Sequence, residues 1–127
     1  MPVGDVESGP GTGGYAHNWY GYCDGNAEEN SDSCSPKSWT VGDEANNGLT
    51  HQPGVLSMAK TSAANTGGSQ FFIVPEDSNP DHLDGVHTVF GKVSSGLSLV
   101  TDISEVDTQD GNDTPVYEVR LLSVSIS

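Results

Sequence analysis

The sequence predicts a mostly β fold with one short helix. Two observations carry this reading. Three short apolar runs, at 54–59, 69–74 and 88–93, are each bounded by turn-forming residues, as strands are. A single segment, 97–103, repeats its apolar residues three and four apart, as a helix face does. At 127 residues the chain suits one domain, long enough to bury a core and short for two.

Residues 4–14 are rich in glycine, and residues 15–40 form a polar stretch holding Trp19, Tyr20, Tyr22 and Trp39, which we read as a long surface loop. The first strand, Gly54-Val55-Leu56-Ser57-Met58-Ala59, follows the turn formers Gln52-Pro53. The small polar residues from Thr61 to Gly68 predict a shaped loop. The second strand, Ser69-Gln70-Phe71-Phe72-Ile73-Val74, is stopped by Pro75. A loop rich in Asp, Asn and Pro leads to the third, Thr88-Val89-Phe90-Gly91-Lys92-Val93. Ser95-Gly96 introduces the helix, and the loop from Asp107 to Pro115 precedes a last strand. There the alternation Tyr117, Val119, Leu121 changes phase to Leu122, Val124, Ile126, the pattern of a bulge.

Four Lys+Arg against 18 Asp+Glu give a formal net charge of −14, which repels phosphate backbones and anionic bilayers. Neither nucleic acid nor a membrane is expected as a partner. The acidity fits a protein kept soluble in salty surroundings, and equally an ordinary solvated acidic surface. With no apolar run of membrane-spanning length and no basic or apolar region at Met1-Pro2-Val3-Gly4-Asp5, the chain reads as soluble and without an address.

The two cysteines, Cys23 and Cys34, are candidates for a disulfide; two free thiols are the alternative. Pairing would lean toward an exported or cell-surface protein over a cytoplasmic one. No metal site is expected, because His17 has no second pair of ligands at zinc spacing and the acidic loops at 24–32 and 107–113 lack the EF-hand pattern. Gly9-Pro10-Gly11-Thr12-Gly13-Gly14 fits G-x-G-x-x-G but has neither a strand before it nor an amphipathic helix after it. Asn112-Asp113-Thr114 fits the glycosylation sequon. No G-x-S-x-G elbow occurs, which argues against nucleophilic catalysis.

Three blocks remain: Gly54-Val55-Leu56-Ser57-Met58-Ala59, then Asn65-Thr66-Gly67-Gly68-Ser69-Gln70-Phe71-Phe72-Ile73, then His82-Leu83-Asp84-Gly85-Val86-His87-Thr88-Val89-Phe90-Gly91-Lys92-Val93. In order and spacing they resemble successive signatures of the cyclophilin-type peptidyl-prolyl cis/trans isomerases. Weaker similarity runs through Asp43-Glu44 and His51, the helix, and Asp113-Thr114-Pro115 into the final strand. Gly4-Asp5 with Gly11-Thr12-Gly13-Gly14 is similar to the glycine-rich loop after the family's third strand.

The resemblance implies a cyclophilin-like antiparallel β-barrel, incomplete at the N-terminus, with residues 1–127 forming the C-terminal two-thirds of one domain and 15–40 an insertion. An unclosed barrel leaves strand edges exposed, so the chain is expected to be a fragment of marginal stability alone. The implied function is isomerisation of X-Pro bonds in support of protein folding, without a cofactor. Phe72, Leu83 and His87 would line the pocket for the proline ring, with His87 also donating to a substrate carbonyl. The Gln70 side chain would hold the substrate backbone, and Ala59 and Lys60 would hold the preceding residue through their main chain. Lys60 replaces the family's usual asparagine, and His82 its usual tryptophan.

Proline-containing peptides or unfolded clients are the implied partners and, weakly, cyclosporin-like macrocycles. The plain alternative makes Phe72 and Leu83 core residues and Gln70, His82 and His87 surface polar groups. The family's Phe-His-Arg run has no counterpart, and the one arginine, Arg120, lies in the last strand. A non-catalytic proline-binding module is therefore the alternative to an enzyme, and a structural acidic domain is a third reading.

Overall fold

A computed structural model describes residues 13–127. Of the glycine-rich stretch 4–14, with its G-x-G-x-x-G match, all but Gly13 and Gly14 lies outside the described residues. The regular elements of the described chain are mostly strands, in two antiparallel three-stranded sheets, with one α-helix. The elements are β1 (Tyr22–Cys23), β2 (Asn26–Ala27), β3 (Trp39–Thr40), β4 (Val55–Met58), β5 (Phe71–Ile73), β6 (Val89–Lys92) and α1 (Leu97–Ser104).

The principal sheet has the order β5-β4-β6. In the central strand Val55 and Ser57 are buried while Leu56 and Met58 are half-buried, the period of two that a strand imposes. Ser57 lies opposite Phe72 on β5 and opposite Val89 on β6, where the register shifts between Leu56 and Ser57. Val55, Val74 and Val89 form the buried cluster, and Phe72 packs against it. Each such side chain removed from water is worth roughly 1.5–3 kcal/mol. The helix begins after Gly96, whose φ of +82° only glycine adopts at no cost. It is tied to the end of β5 by the Glu76 amide, which donates to Thr101 Oγ1 at 3.0 Å.

The segment read as a surface loop carries more order than its polarity suggests. Tyr22–Cys23 and Asn26–Ala27 form a hairpin around Asp24-Gly25, and β3 pairs on the other side of β1. Both turn residues have positive φ, +45° and +84°, as a two-residue turn requires to match strand twist. Cys23 and Cys34 are joined as a disulfide. The unit is fastened to the rest of the chain by the Val41 amide, which donates to Gly67 O at 2.8 Å.

The last strand expected over 117–126 does not form. The Thr108–Pro115 bridge and the Val116 amide, which donates to Asp107 O, close the preceding loop. Beyond it the alternating residues are exposed, Leu122 at 86% and Ile126 at 97%. Alternation supplies a strand's side-chain pattern, but among the described residues no neighbouring edge gives the backbone a ladder partner. No helix among the described residues is long and apolar enough to cross a membrane.

Closing the loop between Cys23 and Cys34, eleven positions apart, restricts the unfolded chain. Replacing both with serine is expected to lower unfolding free energy by roughly 2–3 kcal/mol in a urea titration. An unchanged midpoint would show that the hairpin holds itself without the bond.

Candidate functional site

The site is built on β4. The turn at 52–54 folds residue 51 back beneath this strand, with the Val55 amide donating to Gln52 O. His51 is fully buried, and both ring nitrogens are engaged: Nδ1 lies 2.7 Å from Asp84 Oδ1 and Nε2 lies 2.9 Å from Ser57 Oγ. The His51 amide donates to the same carboxylate oxygen at 2.8 Å. An ionised carboxylate only accepts, so Nδ1 carries the proton. Ser57 Oγ also lies 3.1 Å from Thr88 O, so its single hydroxyl proton has two acceptors within reach.

The Ser57-His51-Asp84 order resembles a nucleophilic triad, but Ser57 and His51 have no exposed surface and no substrate can reach Oγ. The chain of hydrogen bonds instead ties β4 to the segment 81–88. That segment opens with a 3₁₀ turn, Asp81–Leu83, which leaves His82 exposed and Leu83 half-buried. The Leu83 carbonyl accepts from both the Val86 and the His87 amides, so the turn and His87 move as one unit.

Three rings meet here. His51 stacks on Phe72 at 5.9 Å with planes 10° apart, and His87 stands edge-on to both, 5.9 Å from Phe72 and 6.5 Å from His51. His87 Nδ1 donates to Met58 O at 3.0 Å. The neutral ring then presents Nε2 as an acceptor, which leaves donation to a substrate carbonyl to the protonated ring alone.

Ala59, Lys60 and Gln70 gather in a neighbouring cleft with Gly13, Gly14 and Gly68. Gln70 lies two residues before Phe72, on the segment that leads into β5. The Ala59 amide donates to Gln70 O, and Gln70 Nε2 donates to Gly13 O at 2.6 Å. A Cβ on Gly68 would sit 2.7 Å from Gly14 O, so only glycine lets these backbones approach so closely. The Lys60 ammonium lies 3.3 Å from Asp43 Oδ2 and donates to Ala63 O at 3.0 Å. Asp43 and Asn65 exchange two further bonds, side chain to amide in each direction. Lys60 thereby braces the loop after β4.

The structure thus brings Phe72 and His87 together, places Leu83 and His82 on the adjoining turn, and sets Ala59, Lys60 and Gln70 in the cleft alongside. Sequence reasoning assigned no role to His51, Ser57 or Asp84; a serine between apolar strand residues was the one available sign of a buried polar partner. Arg120 is exposed and paired with Glu118, with Nη2 to Oε2 at 2.6 Å. Among the described residues no group of three or more His, Cys, Asp or Glu could hold a metal.

Residues 6–126 match the family model for "Cyclophilin type peptidyl-prolyl cis-trans isomerase/CLD". The chain belongs to the cyclophilin family. It is 42% identical over 87 residues to peptidyl-prolyl cis-trans isomerase CYP18-2 of Arabidopsis thaliana, covering 66% of this chain and 49% of that protein. It is 57% identical over 58 residues to peptidyl-prolyl cis-trans isomerase B of Bacillus subtilis, covering 46% and 38%. It is 44% identical over 85 residues to peptidyl-prolyl cis-trans isomerase-like 1 of Aspergillus fumigatus, covering 66% and 50%. The chain therefore spans half or less of the length of these relatives. All three are named as isomerases, which lends the non-catalytic alternative no support.

Asp84 is held below the ordinary carboxylate value of 3.8, first by the bond from the His51 ring and then by the bond from the His51 amide. A depressed carboxyl stabilises the fold above its unfolded value and loses that contribution as pH falls through its folded one. Asp84→Asn is expected to flatten the decline of melting temperature as the pH falls through the ordinary carboxylate value of 3.8 and below. A decline as steep as that of the unaltered chain would exclude Asp84 as a source of acid sensitivity.

Proposed function

We propose that this cyclophilin-family chain binds X-Pro segments of polypeptide clients and catalyses their cis/trans isomerisation, so assisting protein folding. The observation that carries the reading is the Phe72 and His87 ring pair, set on a fully buried His51 and flanked by the cleft at Gln70 and Ala59. Rotation about the X-Pro bond faces a barrier of roughly 18–20 kcal/mol because the amide gives up its resonance. No bond breaks, so the protein has only to hold the ring, hold the flanking backbone and favour the twisted amide. Phe72, His87 and Leu83 supply the apolar and aromatic walls for the ring. Gln70, with the main chain of Ala59 and Lys60, supplies hydrogen bonds to the chain on either side.

The family resemblance assigns the donor to the amide nitrogen to an arginine upstream of the glycine-rich loop. Arg120 is already paired with Glu118 and does not fill that role. Losing one preorganised donor costs roughly 100- to 1000-fold in rate. The 127-residue chain is expected to accelerate exchange by about that much less than a version joined to a cyclophilin-type Phe-His-Arg segment, in NMR exchange measurements on an Ala-Ala-Pro-Phe peptide. Equal rates would show that another group stabilises the twisted amide.

Cyclosporin-like macrocycles should bind weakly, since His82 on the exposed turn stands where the resemblance expects tryptophan. His82→Trp is expected to tighten macrocycle binding in calorimetry and leave the peptide's affinity unchanged; no gain would remove His82 as the determinant. We also read residues 1–127 as one domain carrying 15–40 as an insertion. The Cys23–Cys34 bond supports placing the chain in an oxidising compartment outside the cytoplasm.

A further inference from the structure

We propose that His51 is a positioning residue for the proline-receiving pocket: it sets the planes of Phe72 and His87 and holds the 81–84 turn in place without itself touching substrate. The inference rests on the functional reading above. A core site of this size is filled at least cost by an apolar side chain, because a buried polar ring must have every nitrogen satisfied. His51 meets that demand by spanning two elements. Its Nδ1 and its amide both reach Asp84 Oδ1, and its Nε2 reaches Ser57 Oγ on β4.

Directional bonds at both nitrogens fix the plane of the ring as well as its centre, which an apolar side chain of the same bulk cannot do. The terminal torsion of a phenylalanine is soft, so the orientation of its ring is set by what packs on it. Phe72 lies nearly parallel to His51, and His87 stands almost perpendicular to it at 86°, so the plane of His51 is handed on to both pocket rings. Through Asp84 the same residue holds the end of the 81–83 turn, from which the Leu83 carbonyl binds the His87 amide. Three pocket residues on two segments, Phe72 on β5 and Leu83 and His87 on 81–88, thus take their relative positions from one side chain that has no exposed surface.

The test uses the full chain with His51→Phe, which keeps a stacking ring and loses both nitrogens, and Asp84→Ala, which alters a partly exposed residue and so guards against a failure to fold. Cys23→Ser/Cys34→Ser serves as a destabilised reference that alters none of the three rings and neither of His51's partners. Phe72 and His87 ring resonances are followed in the free protein, and the affinity for Ala-Ala-Pro-Phe is measured by titration. Both site variants are expected to move those resonances and to weaken the peptide about tenfold, equivalent to about 1.4 kcal/mol, whereas the reference does neither. Variants that are only less stable, with ring resonances or affinity unchanged, would overturn the proposal. If the unaltered chain fails to bind the peptide, the functional reading falls first, and that is seen before any variant is made.

Discussion

A histidine with no solvent-exposed surface constrains the whole arrangement. Burying an imidazole is costly unless both nitrogens find partners, and here the partners are Asp84 on one segment and Ser57 on another. Satisfying them fixes how β4 sits against the 81–88 segment. Ser57 in turn faces Phe72 and Val89 across the sheet, so the polar contact and the valine cluster are laid out by the same strand. Without the polar contact the valine cluster would remain, and the segment that carries Leu83 and His87 would be held to β4 by the bonds of His87 and Thr88 to Met58.

A second constraint is the close approach of backbones beside the cleft. Gly14 and Gly68 have no Cβ, and their contact brings the Gly13 carbonyl within reach of Gln70. On the far side the Lys60 and Asp43 pair, with Asn65 in the left-handed region at φ +58°, holds the loop that follows β4. The Phe72 and His87 rings meet beside a cleft lined by Gln70, Ala59 and Lys60. The chain as a whole carries a net charge of −14.

Elements that advertise themselves by local chemistry were legible in the sequence. The runs around Val55, Phe72 and Val89 became β4, β5 and β6, and the three-and-four spacing at 97–103 became α1. Asp24-Gly25 carried a hairpin signal, but its flanking strands are two residues long and show no alternation, so the segment read as loop. The final strand had the opposite fault: strong alternation from Tyr117 to Ile126 and, among the described residues, no edge paired with it, a property of tertiary context that the segment itself does not contain. Ordered motifs marked Gln70, Phe72, Leu83 and His87. They did not mark His51, because its role depends on partners six and 33 positions away that meet only in the fold.

The central claim is that a proline ring sits against Phe72 and His87 with the flanking backbone toward Gln70. Filtered NOE measurements with an isotope-labelled proline in an Ala-Ala-Pro-Phe peptide test it most directly. The account expects cross-peaks from the labelled ring to Phe72, Leu83 and His87. Cross-peaks confined to other surfaces, or none at peptide concentrations that saturate binding, would contradict it.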